Sequence, residues 1–213
     1  MARYVDLTQP ISPSTRVFPG YPQPIVHKWT TIREEGYFSN LLVFVEHTAT
    51  HMDSPAHFVE GAPTIDKLPL EKFFARAVVL GFKKKPGEPV SRREVEEALS
   101  DTGVKVGKGW YVFFAFGWDR VERFEDWLKY PYLEDDVGDL IVELGVEGIG
   151  VDTPSPDLSP FNVHKKLLPK SIVIIENLSG LVELAGRSFN VVILPLKVEG
   201  GSGAPVRVVG VLE

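Results

Sequence analysis

A mixed α/β domain built around a substantial sheet is what this sequence predicts, and three observations carry the prediction. Short apolar runs rich in β-branched and aromatic residues recur along the chain and outnumber the helix signatures. One helix signature stands just ahead of the strand-like Gly148-Ile-Gly-Val151, the alternation from which α/β sheets are built. The length of 213 residues, with 44% hydrophobic and 24% charged residues, suits one domain with a full core over 1–213.

Taken in order, residues 8–24 hold Pro10, Pro13, Pro19, Pro22, Pro24 and Gly20, so this arm is extended and turn-rich rather than helical and reads as a binding loop. Leu41–Val45, Ala77–Leu80, Trp110–Phe114, Ile172–Ile175, Val191–Leu194 and Val206–Val209 are bounded by Gly, Pro or charge and read as buried strands. Ser91-Arg-Arg-Glu94 has the spacing of a capping box, in which Ser and Glu satisfy each other's free backbone N–H groups. Val95, Ala98 and Leu99 follow at helical spacing, so a helix is predicted over about 92–100. Asp135–Leu144 is a second helix, with acids in its first turn, where the dipole favours them, and Gly145 as its stop. Gly200-Gly-Ser-Gly203 is a turn before a last strand and not a domain boundary.

The composition narrows the chemistry. Without cysteine there is no disulfide, thiolate zinc site, Fe–S cluster or Cys nucleophile, so any metal must be held by His, Asp and Glu. A net charge of −6 opposes the basic footprint that nucleic acid requires. The N-terminus has Asp6 and then prolines in place of a signal-peptide apolar region, and no run is long enough to span a membrane, so a soluble cytoplasmic protein is expected.

The densest cluster of chemically capable residues is Glu46-His47-Thr48-Ala49-Thr50-His51-Met52-Asp53-Ser54-Pro55-Ala56-His57, which holds three of the five histidines. On a helix, His47 and His51 would lie about 40° apart, with Asp53 and His57 on the far side. In an extended chain all four face one way, and Pro55 can turn the chain so that His57 closes over the others. Two His and one Asp on such a strand give ligands for Zn²⁺, Mn²⁺ or Fe²⁺ with positions left open for water. Thr48 and Thr50, on the alternate face, suit strand propensity and backbone hydrogen bonding. His164 and Glu176 are read from the residues alone as a helix-surface His and a solvated strand end, or as further ligands at a sheet end.

These residues resemble the cyclase superfamily of metal-dependent hydrolases, which includes kynurenine formamidase and isatin hydrolase. Its hallmark, His-[Ser/Thr]-Gly-Thr-His-x-Asp-x-Pro-x-His, is matched by His47–His57 except for Ala49 in the Gly position. The likeness extends to Val17-Phe18-Pro19-Gly20, Gly117-Trp118, Gly150–Asp157, His164, Glu176-Asn177-Leu178 and Gly203–Arg207, nearly the whole chain. It implies a swivelling β/β/α fold with a mixed central sheet and two divalent metal ions, zinc first and manganese as the alternative. It assigns His47 and His51 to one metal, His164 to the other, Asp53 and Glu176 as bridges, and His57 as proton donor and acceptor. The activity it implies is hydrolysis of a small formyl-anilide such as N-formylkynurenine, or of a cyclic amide as in isatin hydrolase. It also implies a homodimer or homotetramer, and the arm is expected to help build the pocket with Phe18.

Where the formamidases commonly carry Trp before Pro-Gly and Thr before Gly-Trp, this chain has Phe18 and Phe116, differences that bear on the substrate and not on hydrolysis. Two other readings compete with this one. A serine hydrolase would use Gly200-Gly-Ser202-Gly-Ala204, but that motif must be followed by a helix and the residues after it read as a strand. A non-catalytic, metal-containing binding protein would need a closed ligand set. Gly103–Gly109 lacks the spacing and the Ser/Thr of a P-loop.

Overall fold

The computed structural model describes residues 2–212. In chain order its strands are β1 (Arg3–Asp6), β2 (Ile25–Thr30), β3 (Ser39–Val43), β4 (His51–Asp53), β5 (Phe74–Gly81), β6 (Pro89–Val90), β7 (Trp110–Ala115), β8 (Tyr132–Leu133), β9 (Gly148–Val151), β10 (Val173–Glu176), β11 (Ser188–Pro195) and β12 (Gly203–Leu212). Its helices are α1 (Ile32–Glu35), α2 (Arg92–Thr102), α3 (Phe124–Trp127), α4 (Asp135–Leu144) and α5 (Asn162–Leu167).

The main sheet runs β1-β12-β11-β5-β7-β9-β10-β4, and a further pairing of β4 with β12 closes seven of these strands into a mixed barrel-like ring. β5, β7, β9 and β10 are parallel neighbours, whereas β4, β11 and β12 pair antiparallel. Closure explains why the strands read as unbroken apolar runs: both faces are covered. Ala77 and Val79 point into the ring with Tyr111, Phe113, Ile175 and Val191. Val78 and Leu80 point outward, where α2, α4 and α5 cover them with Val95, Leu99, Val137, Ile141, Val163 and Leu167. Gly148 and Gly150 are required in β9, because a Cβ at Gly150 would meet Leu178 and Phe113 at 2.6 Å and one at Gly148 would meet Tyr111 at 2.5 Å.

Both predicted helices form. The Ser91 N–H donates to Glu94 Oε2 at 2.9 Å, and α4 ends on Gly145 with φ 64. The arm at 8–24 contains no helix. Two expectations need correction. Leu41–Val45 is not a buried strand: residues 39–43 form β3, which pairs only with β2 in a separate hairpin, and Leu41, Leu42 and Val43 are exposed. Nor is the chain extended from His47 onward. Residues 47–50 make a turn in which Ala49 has φ 56, and only His51–Asp53 is strand. The family's Gly position thus keeps a left-handed backbone here, held with an alanine at some cost in strain.

Candidate metal centre and pocket

β4 lies between β10 and β12, and this placement builds the site. Its register sets Asp53 beside Ile174 and His51 beside Glu176. With a period of two, Met52 enters the ring while His51 and Asp53 emerge on the outer face together with Glu176. On that face α5 brings His164, and the turn before β4 brings His47. All five side chains are buried. Two groups form, His47, His51 and Asp53, and Asp53, His164 and Glu176, each offering three ligand atoms within 4.8 Å of one another. Asp53 belongs to both.

The residues fit a divalent metal on several observations. His51 Nε2 and Asp53 Oδ2 are buried without a hydrogen-bond partner, a costly state for polar atoms unless something else satisfies them. His51 Nε2 lies 3.3 Å from Glu176 Oε2 and 3.4 Å from Asp53 Oδ1, and His164 Nε2 lies 3.3 Å from Glu176 Oε1 and 3.6 Å from Asp53 Oδ2. Ligand atoms on a tetrahedral metal with bonds of about 2.0–2.2 Å stand about 3.3–3.6 Å apart. The opposite ring nitrogens are engaged: His51 Nδ1 is 2.9 Å from the Ala49 carbonyl and His164 Nδ1 is 2.7 Å from Asp157 Oδ1. Each can donate its Nδ1 proton there, which leaves the Nε2 lone pair aimed into the cluster.

The electrostatics point the same way. Burial alone would lower the His51 pKa, but the adjacent Asp53 and Glu176 carboxylates outweigh it and carry it to about 10. His164 is likewise raised, burial opposing and Asp157, Asp53 and Glu176 prevailing. Asp53, which burial would raise, is held well below the usual carboxylate range by His164, His47 and His51. The two carboxylates therefore demand positive charge between these atoms, which a divalent ion would supply.

His47 is placed by the 200–203 turn. Its Nδ1 lies 2.7 Å from Asp53 Oδ1 and its Nε2 2.9 Å from Ser202 Oγ, while Glu46 accepts the Gly203 N–H at 2.8 Å. A Cβ on Gly203 would meet His47 Cε1 at 2.6 Å and the Met52 carbonyl at 2.7 Å, so this close approach requires glycine. Ser202 leads into a strand and not a helix, which removes the geometry of a serine nucleophile elbow. His57 ends a short 3-10 turn, Pro55–His57, and stacks on His47, ring centroids 4.0 Å apart. Burial lowers its pKa.

A cavity of about 380 Å³ opens over the cluster, lined by Phe18, Tyr21, Phe58, Trp127 and Phe161 among others. The arm thus contributes Phe18 and Tyr21, as its composition suggested. Ala49, Phe161 and Asn177, three of the four non-glycine residues with positive φ, belong to the turns around this site, where strain is commonly held. Thr50 Oγ1 donates to the Asn177 carbonyl at 2.6 Å and ties two of these turns together.

The sequence alone points to no role for Asp157, Arg16 or Trp127, and offers Ser202 only as the nucleophile of the rejected serine-hydrolase reading. Asp157 is visible in the sequence as the last residue of the Gly150–Asp157 likeness, seven residues before His164.

Fold and site together define a metal-dependent hydrolase. The chain belongs to the Cyclase family, whose profile matches residues 5–158. It is 30% identical to the kynurenine formamidase of Salinibacter ruber, covering 96% of this chain and 95% of that one. It is 25% identical to the kynurenine formamidase of Bacillus cereus, covering 98% and 97%. Among solved structures it matches isatin hydrolase A from Ralstonia solanacearum with a TM-score of 0.91 and 26% identity, covering 100% of this chain and 92% of that one. No helix among the described residues is long and apolar enough to cross a membrane.

Proposed function

We propose that this protein hydrolyses the amide bond of a small formyl-anilide, N-formylkynurenine or a close analogue. The observation that carries the reading is the convergence of two His/carboxylate groups on Asp53 beneath an aromatic cavity, with His57 beside them. His47 and His51 would hold one divalent ion and His164 the other, with Asp53 and Glu176 shared. Zinc is the first choice, manganese the second. Such ions polarise a carbonyl and lower the pKa of water to about 7.

The chain's own groups do the rest. Phe18 and its aromatic neighbours stack on the aryl ring and exclude water. His57, kept neutral by burial, takes the proton of the attacking water and returns it to the departing aniline nitrogen. Asp157 holds His164 in the tautomer that presents Nε2. A second substrate class, a cyclic amide of the isatin type, is favoured by the fold match to isatin hydrolase A; Phe116 does not line the cavity and so has no part in that choice.

We further propose a cytoplasmic homodimer, or a pair of dimers, joined through the β2–β3 hairpin. The test of the activity is a matrix of zinc- and manganese-loaded protein against N-formylkynurenine, isatin and simple formanilides. Turnover of at least one, lost to a chelator and reduced about 10²–10⁴-fold in His57→Asn with metal content retained, is expected. Full activity in that variant, or protein that takes up neither metal, would sink the reading.

A further inference from the structure

Among the residues lining the cavity, Arg16 is the single permanent cation, and metal binding does not employ it. Its guanidinium donates to the Val121 carbonyl and, at 3.4 Å, to the Asp119 carbonyl, and it lies 5.2 Å from the centre of the Trp127 ring. These contacts fix its position without neutralising it. Burial lowers the Arg16 pKa and the nearby Asp119 opposes that shift, but the Asp119 carboxylate accepts the Gly180 N–H at 3.0 Å and makes no hydrogen bond to Arg16. Two of the five guanidinium N–H donors are thus spent on carbonyls, and three are left uncommitted on a residue that lines the cavity.

A half-buried, pinned cation without a carboxylate partner is costly to keep unless a ligand completes it. The cavity is graded accordingly. Its floor is the metal-binding cluster, its walls are Phe18, Phe58, Phe161 and Trp127, and the arm adds one fixed cation. An amide carbonyl suits the floor and an aryl ring suits the walls. The remaining complementarity is a carboxylate joined to that ring, received by a planar fork of N–H donors.

We propose that Arg16 is the specificity-determining residue of this pocket and selects aromatic amides that bear a carboxylate remote from the scissile bond. This rests on the amide-hydrolase reading for the reaction, and its test includes binding so that the two can fail separately.

The probes are matched pairs that differ only in charge: 3-formamidobenzoate with 3-formamidobenzamide for turnover, and 3-acetamidobenzoate with 3-acetamidobenzamide for calorimetric binding to the zinc-loaded protein. Wild type is expected to favour the carboxylate member of each pair by about 10- to 100-fold, the range of a charge-assisted hydrogen bond withdrawn from water. Arg16→Gln should collapse that preference, in Kd for the binding pair and mainly in KM for the turnover pair. Arg16→Lys should restore part of it, because the charge returns without the fork. Should Arg16→Gln prove unfolded, the wild-type preference and its partial survival in Arg16→Lys decide the matter. Equal affinity of wild type for both members, or an equal fall for both in Arg16→Gln, would overturn the assignment and leave Arg16 as a strut for the arm. A binding preference that collapses in the variant, without turnover of either formanilide, would uphold Arg16 and defeat the hydrolase reading.

Discussion

Asp157 shows what a single side chain adds to a ligand set. One oxygen lies 2.7 Å from His164 Nδ1, while the other accepts the Val163 N–H at 2.7 Å and the His164 N–H at 3.2 Å. It therefore orients the imidazole and satisfies free donors at the start of α5 together. Asp157→Asn can keep an oxygen on the backbone donors but turns an NH2 toward Nδ1, which favours the tautomer with its proton on Nε2. Metal affinity is expected to fall about 10- to 100-fold, measured by competition with a chromophoric chelator, with little change in secondary structure. Retention equal to wild type would show that Asp157 serves the helix alone. Of the five candidate ligands, His47, His51 and Asp53 are legible in the spacing just ahead of Pro55, whereas His164 and Glu176 are assigned only by the family resemblance. Asp157 closes the Gly150–Asp157 likeness, but its role depends on where α5 folds back, and no periodicity carries that.

At the scale of elements, the site depends on how strand ends are tied together. Asp152 follows the last residue of β9 and is fully buried, and its carboxylate accepts the N–H groups of Phe116, at 2.9 Å, and Gly117, at 2.7 Å, at the exit of β7. From there Trp118 Nε1 donates to the Trp127 carbonyl at 2.8 Å, which leads to the cavity wall. Burial raises the Asp152 pKa to about 7 against the pull of those backbone donors. Because the folded value lies above the unfolded one, 3.8, the folded state binds the extra proton between these limits. The stability this group contributes is fully present below pH 4 and is lost as pH rises through about 7, at no more than about 1.4 kcal/mol per pH unit. Asp152→Asn removes that titration, so urea unfolding measured from pH 4 to pH 7 should show a more favourable pH slope in the variant than in wild type. Superimposable slopes would mean that Asp152 stays ionised, its backbone donors outweighing burial. Element type was readable here, since β7, β9 and α4 announce themselves by apolar runs and caps. Their joints were not, because an Asp after a strand looks the same whether it is solvated or closes a turn from the inside.

For the molecule as a whole, the misread strand is the informative one. Leu41–Val45 is as apolar as any core strand, and sequence patterning assigns such a run to the interior. The ring is already closed without it, since β4 pairs with both β10 and β12 and leaves no place for β3. The hairpin instead stands apart and exposes Ile25, Trp29, Leu41, Leu42 and Val43, with Ile32, Tyr37 and Phe38 along its turn. A two-stranded hairpin is marginal in water by itself, and a contiguous apolar patch of this kind marks an interface. A second copy of the chain is the natural cover: the exposed side chains of the two strands are mostly apolar, with His27 and Lys28 the exceptions on β2, and closed two-fold pairing is the commonest solution for such surfaces. Wild type is therefore expected to sediment as a dimer or a multiple of one. Trp29→Glu combined with Leu42→Glu places a charge on each strand of the ribbon and should yield monomer by light scattering, with metal content unchanged because all five ligands lie on the ring side. Since Phe18 and Tyr21 belong to the arm that runs directly into β2, the monomer should also show a raised KM as that arm loses its anchor. A wild type that is monomeric at micromolar concentration, or a double variant that remains dimeric, would place the interface elsewhere.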